Sequence, residues 1–259
     1  MVSSLPFAAA LAFSMVGAIS PTDDRLAYEG RWRFSGAVAL ADWPCSTLQF
    51  SVRAGDDGAM LRFSWVGVRT RINATVAPIG HHGLISQDEP ANSTIWTGPA
   101  FEGLGPRTMS SSVKLPPGPS IVSLRKLSAA TPLPPGIASD FFRPSVFEIH
   151  GIELVAGNAS IEAMPRASRR IQVIGASDSA GYCVDGTPNT SAIGWSVLDW
   201  EHSNCDHASG AVLARSFGAE ISVQVASPHP YPSQEVHLAC HKSQQPTPSH
   251  STPRPTAHP

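Results

Sequence analysis

Between Gly30 and Val155 the apolar positions fall in short runs, many alternating with polar ones. The runs are Gly30–Ser35, Thr47–Arg53, Met60–Val66, Thr70–Val76, Ser111–Leu115, Ile121–Lys126 and Val146–Val155. Period-two alternation over so few residues predicts half-buried strands. Turn formers separate them, among them Gly55-Asp56-Asp57-Gly58 and Pro116-Pro117-Gly118-Pro119. This spacing predicts two packed antiparallel sheets, a β-sandwich over residues 26–165. Asn158–Ser168, small and polar with Pro165 near its end, reads as a surface linker.

The pattern changes after the linker. Ile171, Val173 and Ile174 make a β-branched run that stops at Gly175. Further on, Ala208, Ala211, Val212, Leu213, Ala214 and Phe217 have helical spacing, with Ser203 or Asn204 placed to cap the helix and Gly218 placed to end it. Glu220–Ala226 then alternates as a second strand. Strand, helix, strand predicts a right-handed βαβ unit with parallel strands. Residues 227–259 are rich in Pro, Ser, Thr and His and cannot bury a core.

The composition supports this division. The chain has 259 residues, 42% of them hydrophobic, which is enough for one large or two ordinary cores. Its 24 prolines and 21 glycines favour a turn-rich β architecture. A net charge of −2 gives neither the basic footprint of a nucleic-acid binder nor a polybasic membrane patch. Residues 1–20 read as a signal peptide, because Leu5–Ile19 is apolar, too short to span a bilayer, and the stretch ends in the small residues Gly17, Ala18 and Ser20. Four sequons, at Asn73, Asn92, Asn158 and Asn189, agree with a secreted glycoprotein that has no membrane contact once the leader is removed.

Four cysteines are then free to pair in an oxidising compartment: Cys45, Cys183, Cys205 and Cys240. Cys183 follows the Gly175–Gly181 turn and Cys205 lies just before the expected helix, and the two are expected to form a disulfide. No spacing is that of a paired-cysteine metal site, so no metal is expected. Trp32, Trp43, Trp65 and Trp96 could stack on sugars, but a tryptophan in a sandwich is more often core filling. His81-His82 reads as a solvated loop, and Ser128–Ser139 as an exposed insertion.

The chemistry is expected where the first parallel strand ends. Gly175 opens a turn of small residues, Ala176-Ser177-Asp178-Ser179-Ala180-Gly181. In an open α/β sheet, ligands bind at the carboxyl ends of strands. A serine there, flanked by residues too small to cover it, is placed as a nucleophile.

This stretch resembles block I of the SGNH (GDSL-like) hydrolases. Gly175, Ser177, Ser179 and Gly181 match, while Ala176 and Asp178 depart from the usual Asp and hydrophobic residue. The continuation through Tyr182 and Val184-Asp185-Gly186 looks like the family-two carbohydrate esterases, which place a β-sandwich ahead of the SGNH part. So do Gly30-Arg31-Trp32, Asp42-Trp43-Pro44, Leu115-Pro116-Pro117-Gly118, Val122–Lys126 and Phe147–Leu154. The resemblance runs from about Tyr28 to Ala226. It implies a jelly-roll-like sandwich followed by a partial three-layer, flavodoxin-like α/β domain over 169–226. It implies a cofactor-free, monomeric acetyl esterase acting on acetylated polysaccharide or oligosaccharide, with Ser177 as nucleophile and its N–H as oxyanion donor. Tyr182 and Asp185 would be substrate-binding residues.

Beyond Ala226 the resemblance stops, and the chain reads as truncated. No Asp-x-x-His follows Ser177, so the usual base is missing. His202, His207 and His229 are the candidate substitutes; His229, directly after the second strand at the same sheet edge as Ser177, is the better placed, but it belongs to a tail holding five of the ten histidines. The alternatives are a non-catalytic carbohydrate-binding protein and an inactive truncated product.

Overall fold

Strand β4, Thr47–Gly67, is the spine of the fold. In a straight strand, Phe50 and Phe63 would lie roughly 40 Å apart. Their ring centroids are 6.4 Å apart, so β4 bends back over itself and its two halves face one another. The bend falls at the Gly55–Gly58 stretch, where Gly58 takes φ +73°. The sequence suggested a turn between two strands there. The structure instead has one strand with a register shift between Ala54 and Ala59, because the partner strand follows it around the corner.

The computed structural model describes residues 18–68, 70–79, 92–99, 108–128, 146–164, 167–175, 177–181, 185 and 202–225. Around β4 lie β1 (Ala27–Glu29), β2 (Arg33–Ser35), β3 (Val38–Ala41), β5 (Arg71–Pro78), β6 (Asn92–Thr97), β7 (Met109–Leu115), β8 (Gly118–Lys126) and β9 (Phe147–Glu162). They form one antiparallel sheet in the order β2-β3-β9-β4-β8-β5-β6, with β1 and β7 also pairing with β4. β8 pairs with the first half of β4 and β7 with the second, so the sheet folds into two layers around one core. Leu48, Phe50, Val52, Leu61, Phe63, Trp65, Ile72, Leu115, Leu124, Phe147, Ile149 and Ile152 fill that core. Trp65 stacks on Trp96, both buried, as expected of core tryptophans.

Several boundaries differ from the sequence pattern. β9 continues to Glu162, through the first part of the expected linker, because residues 159–162 pair with Ser51–Ala54. Gly118 and Pro119, expected in a turn, already belong to β8. Gly30–Ser35 is split, with only Arg33–Ser35 in a strand. β6 escaped notice because four of its first five side chains are exposed, so it has no apolar period. His81-His82 and nearly all of Ser128–Ser139 lie outside the described residues.

The second part is small. β10 (Arg170–Gly175) and β11 (Glu220–Val225) pair in parallel, Ile171 with Ile221 and Val173 with Val223. Helix α1, Ser209–Ser216, joins them, and Gly218 at φ +57° ends it as expected. Asn204 does not cap α1. Its side chain accepts from the Asp206 N–H at 3.0 Å and caps a short 3-10 turn, Cys205–His207, just before the helix. Among the described residues, no helix is long and apolar enough to cross a membrane.

Candidate functional site

Ser177 opens a 3-10 turn, Ser177–Ala180, two residues beyond the carboxyl end of β10. Ser179, the other hydroxyl in the block, lies back over the strand end, and a Cβ at Gly175 would collide with its Oγ. Gly181 closes the turn at φ +74°, and a side chain there would strike the Asn204–Cys205 backbone. Its carbonyl accepts the Asn204 N–H at 2.7 Å. Block I is therefore tied directly to the loop that leads into α1.

That loop and the sandwich share a polar seam. Thr47, Arg125 and Asn73 are register partners across β4, β8 and β5, and register partners point to one face of the sheet. Arg125 donates to Asp206 Oδ1 at 2.6 Å and to Thr47 Oγ1 at 3.0 Å. Asn73 donates to Asp206 Oδ2 at 2.7 Å. Burial alone would raise the Asp206 pKa, but Arg125, Asn73 and Arg215 outweigh it and hold the carboxyl below its ordinary value. A second pairing lies alongside. Arg71 donates to Asp185 Oδ2 at 3.2 Å and to the Ser203 carbonyl at 2.9 Å. Asn204 Nδ2 also donates to Asp185 Oδ2, at 2.9 Å, while Asp185 Oδ1 lies 2.9 Å from His207 Nδ1. The Asp185 N–H donates to the His202 carbonyl at 2.9 Å.

A covalent link reinforces the seam, and it corrects the expected pairing. Cys205 is bonded to Cys45, not to Cys183, across 160 residues of sequence with a Cα–Cα distance of 5.5 Å. The reason is tertiary. Cys45 lies at the mouth of β4, its N–H on the Lys126 carbonyl, and the Cys205 N–H reaches the neighbouring Leu127 carbonyl at 3.2 Å. The two backbones are thus already side by side. Cys45 and Cys205 pack with Ala211, Ala214, Ile221 and Val223 in a second small core.

The sequence-derived residues divide accordingly. Asp185 and Cys205 lie in or against the loop before α1, and Ser177 heads the turn that the Gly181–Asn204 hydrogen bond joins to that loop, whereas Tyr182, Cys183, Asn189 and His229 lie outside the described residues. The Asp185 carboxylate is turned to protein groups, so it orders the loop. Of the sequons, Asn92 and Asn158 are exposed. Asn73 is bonded to Asp206 through its amide nitrogen and to Ser93 through its oxygen, so a glycan there would have to leave through the seam. Sequence reasoning missed Arg71, Asn73, Arg125 and Asp206 as a group. The one available signal was a basic pair, Arg125-Lys126, ending an apolar strand. Its partners, about eighty residues away, had none.

No family model matches the chain, and no curated protein matches it. Solved structures do. A family-two carbohydrate esterase from Cellvibrio japonicus superposes with a TM-score of 0.57 at 16% identity, covering 80% of this chain and 51% of that one. A family-two carbohydrate esterase from Clostridium thermocellum, in complex with cellohexaose, gives 0.50 at 18% identity, covering 76% and 50%. The acetyl xylan esterase Est2A from Butyrivibrio proteoclasticus gives 0.50 at 12%, covering 79% and 46%. The chain thus spans about half the length of each of these three structures. At these identities the likeness is one of fold over the matched residues: the folded antiparallel sheet and the parallel βαβ unit of this chain superpose on about half of each of these carbohydrate esterases.

Proposed function

We propose that this chain bears the nucleophile of a secreted SGNH-type carbohydrate O-acetyl esterase, with Ser177 attacking the acetyl carbonyl. The observation that carries this reading is the position of Ser177. It heads a turn at the carboxyl end of a parallel strand, while Ser179 is folded back over Gly175. The Ser177 N–H is the oxyanion donor of the reading, and Tyr182 its substrate contact. The unit β10-α1-β11 is read as the first βαβ unit of a three-layer α/β domain over 169–226, preceded by a sandwich domain over 26–165. The substrate class is an acetylated β-linked polysaccharide, supported by the neighbours described as an acetyl xylan esterase and as a cellohexaose complex. Export through residues 1–20 and glycosylation at Asn92 and Asn158 complete the proposal.

The test is acetate release from acetylated xylan by the purified protein, alongside Ser177→Ala. Release that persists in Ser177→Ala removes this serine from the mechanism. Xylan binding by a protein that releases no acetate would favour a purely binding role.

A further inference from the structure

The polar seam contains a pair that the serine reading does not use. His207 Nδ1 lies 2.9 Å from Asp185 Oδ1, and the imidazole remains 61% exposed. Asp185 is in turn fixed by Arg71, by Asn204 Nδ2, and by its own N–H on the His202 carbonyl. We propose that His207, oriented by Asp185, is the proton acceptor that activates Ser177. The inference rests on the reading of Ser177 as nucleophile.

Topology places the two residues at one end of the unit. β10 and β11 are parallel, so the helix between them starts at the end where β10 finishes. Ser177 lies two residues past β10, and His207 two residues before α1. The Gly181–Asn204 hydrogen bond joins their two loops. The four-residue 3-10 turn between Ser177 and Gly181 is only about 8 Å long. Asn204 Nδ2 lies 3.3 Å from His207 Nδ1 at the other side of that junction.

The pairing also sets the chemistry of the ring. A carboxylate at Nδ1 favours the tautomer with its proton there, which leaves Nε2 as a lone-pair acceptor on a ring that is mostly exposed. This is the carboxylate–imidazole half of a serine triad, identified by geometry and not by chain order. His150 also has a carboxylate partner, Glu148, but both lie on β9 in the sandwich. In the first step the Ser177 Oγ–H proton passes to His207 Nε2, directly or through one water, as Oγ bonds to the acetyl carbon. The carbonyl electron pair moves to its oxygen. Collapse breaks the bond to the sugar oxygen, which leaves with the proton from His207. Water then repeats the sequence, regenerating Ser177 and releasing acetate.

The experiment follows covalent labelling of Ser177 by diisopropyl fluorophosphate, read by peptide mass spectrometry from pH 5 to 9. The proteins are the wild type, Ser177→Ala, His207→Ala, His207→Gln, Asp185→Asn and His150→Ala, each checked for the wild-type circular dichroism spectrum. The expected result is that both His207 variants label at least about 100-fold more slowly. Added imidazole should restore part of the rate in His207→Ala, and a misfolded variant would not respond to it. Asp185→Asn should shift the midpoint of the pH–rate curve, and His150→Ala should leave the rate unchanged. Ser177 that labels equally fast without the His207 imidazole overturns the base assignment and leaves the nucleophile standing. A wild type that takes no label at Ser177 overturns both.

Discussion

The sandwich and the βαβ unit solve the same problem, that of burying an apolar face, in opposite ways. The sandwich folds its own sheet over, so Phe50, Phe63, Trp65, Trp96 and Phe147 meet inside it. Among the described residues the βαβ unit has two strands and one helix of eight residues, too little for a parallel sheet that needs cover on both faces. Ile174 is left 73% exposed. The unit is held in place by what joins it to its neighbour: the Cys45–Cys205 bond, the Asp206 and Asp185 pairings, and the Cys205 N–H on Leu127. A region with a large core of its own tolerates the loss of a neighbour, and a region whose small core is shared with that neighbour through Cys45 does not.

The largest expected effect separates the two. Removing a cross-link that closes 160 residues costs about 5 kcal/mol in the chain-entropy account. Cys205→Ala or Cys45→Ala should therefore free the βαβ unit while the sandwich stays folded. Trypsin should then cut at Arg169, Arg170 and Arg215 and leave residues 26–162 as a resistant core. A variant as resistant as the wild type would mean that the ionic seam suffices.

The opposite perturbation should not separate them. Phe63→Ala, which empties a fully buried position, should cost about 3–5 kcal/mol. Because the βαβ unit leans on the sandwich, the near-ultraviolet signals of the tryptophans and the protection of Arg215 from trypsin should be lost in one transition. A surviving βαβ unit would show that it has stability of its own.

Lys126 is buried at the seam end of β8, and burial pushes its pKa down to about 7 despite Asp42 nearby. Its Nζ donates to the Ser128 carbonyl. The folded state therefore binds fewer protons than the unfolded state between pH 7 and about 10, and stability rises with pH across that window. A gain on the order of 3–5 kcal/mol follows from the size of the shift. Above it, burial raises the Tyr28 pKa, so the folded state retains a proton that the unfolded chain loses, and stability turns down again. Lys126→Met should flatten the rise in melting temperature between pH 7 and 9.5. An unchanged rise would locate its source elsewhere.

The smallest effect lies in the seam itself. Asp206→Asn keeps the shape but removes the charge that Arg125 and Arg215 face, at a cost of about 2 kcal/mol. In the wild type the Asp206 carboxyl titrates below its unfolded value, so its contribution is complete above about pH 4 and lost as acid protonates it in the fold. The Asn variant should lose that step in an acid titration of pepsin sensitivity within the βαβ unit. A wild type without such a step would show that the disulfide alone holds the unit.

The sequence was readable where structure is periodic and local. Alternation found β5, β7, β8 and β11, helical spacing found α1, and a β-branched run stopping at Gly175 placed Ser177 at a strand end. These features depend on neighbours a few residues away, and the chain carries that information directly. It gave the wrong answer where a distant partner decides. Gly55–Gly58 reads as a turn, and becomes a bend inside one strand only because β9 bends beside it. Cys205 had a nearer candidate in Cys183, and the fold brings Cys45 to it. That Arg71, Asn204 and His207 meet at the Asp185 carboxylate likewise has no signal in the sequence. Local chain chemistry thus fixed which elements form and where the reactive hydroxyl lies along the chain. Which charges and thiols meet across the seam was settled only by tertiary structure, since closing a loop of this length depends on the whole sheet being in place first.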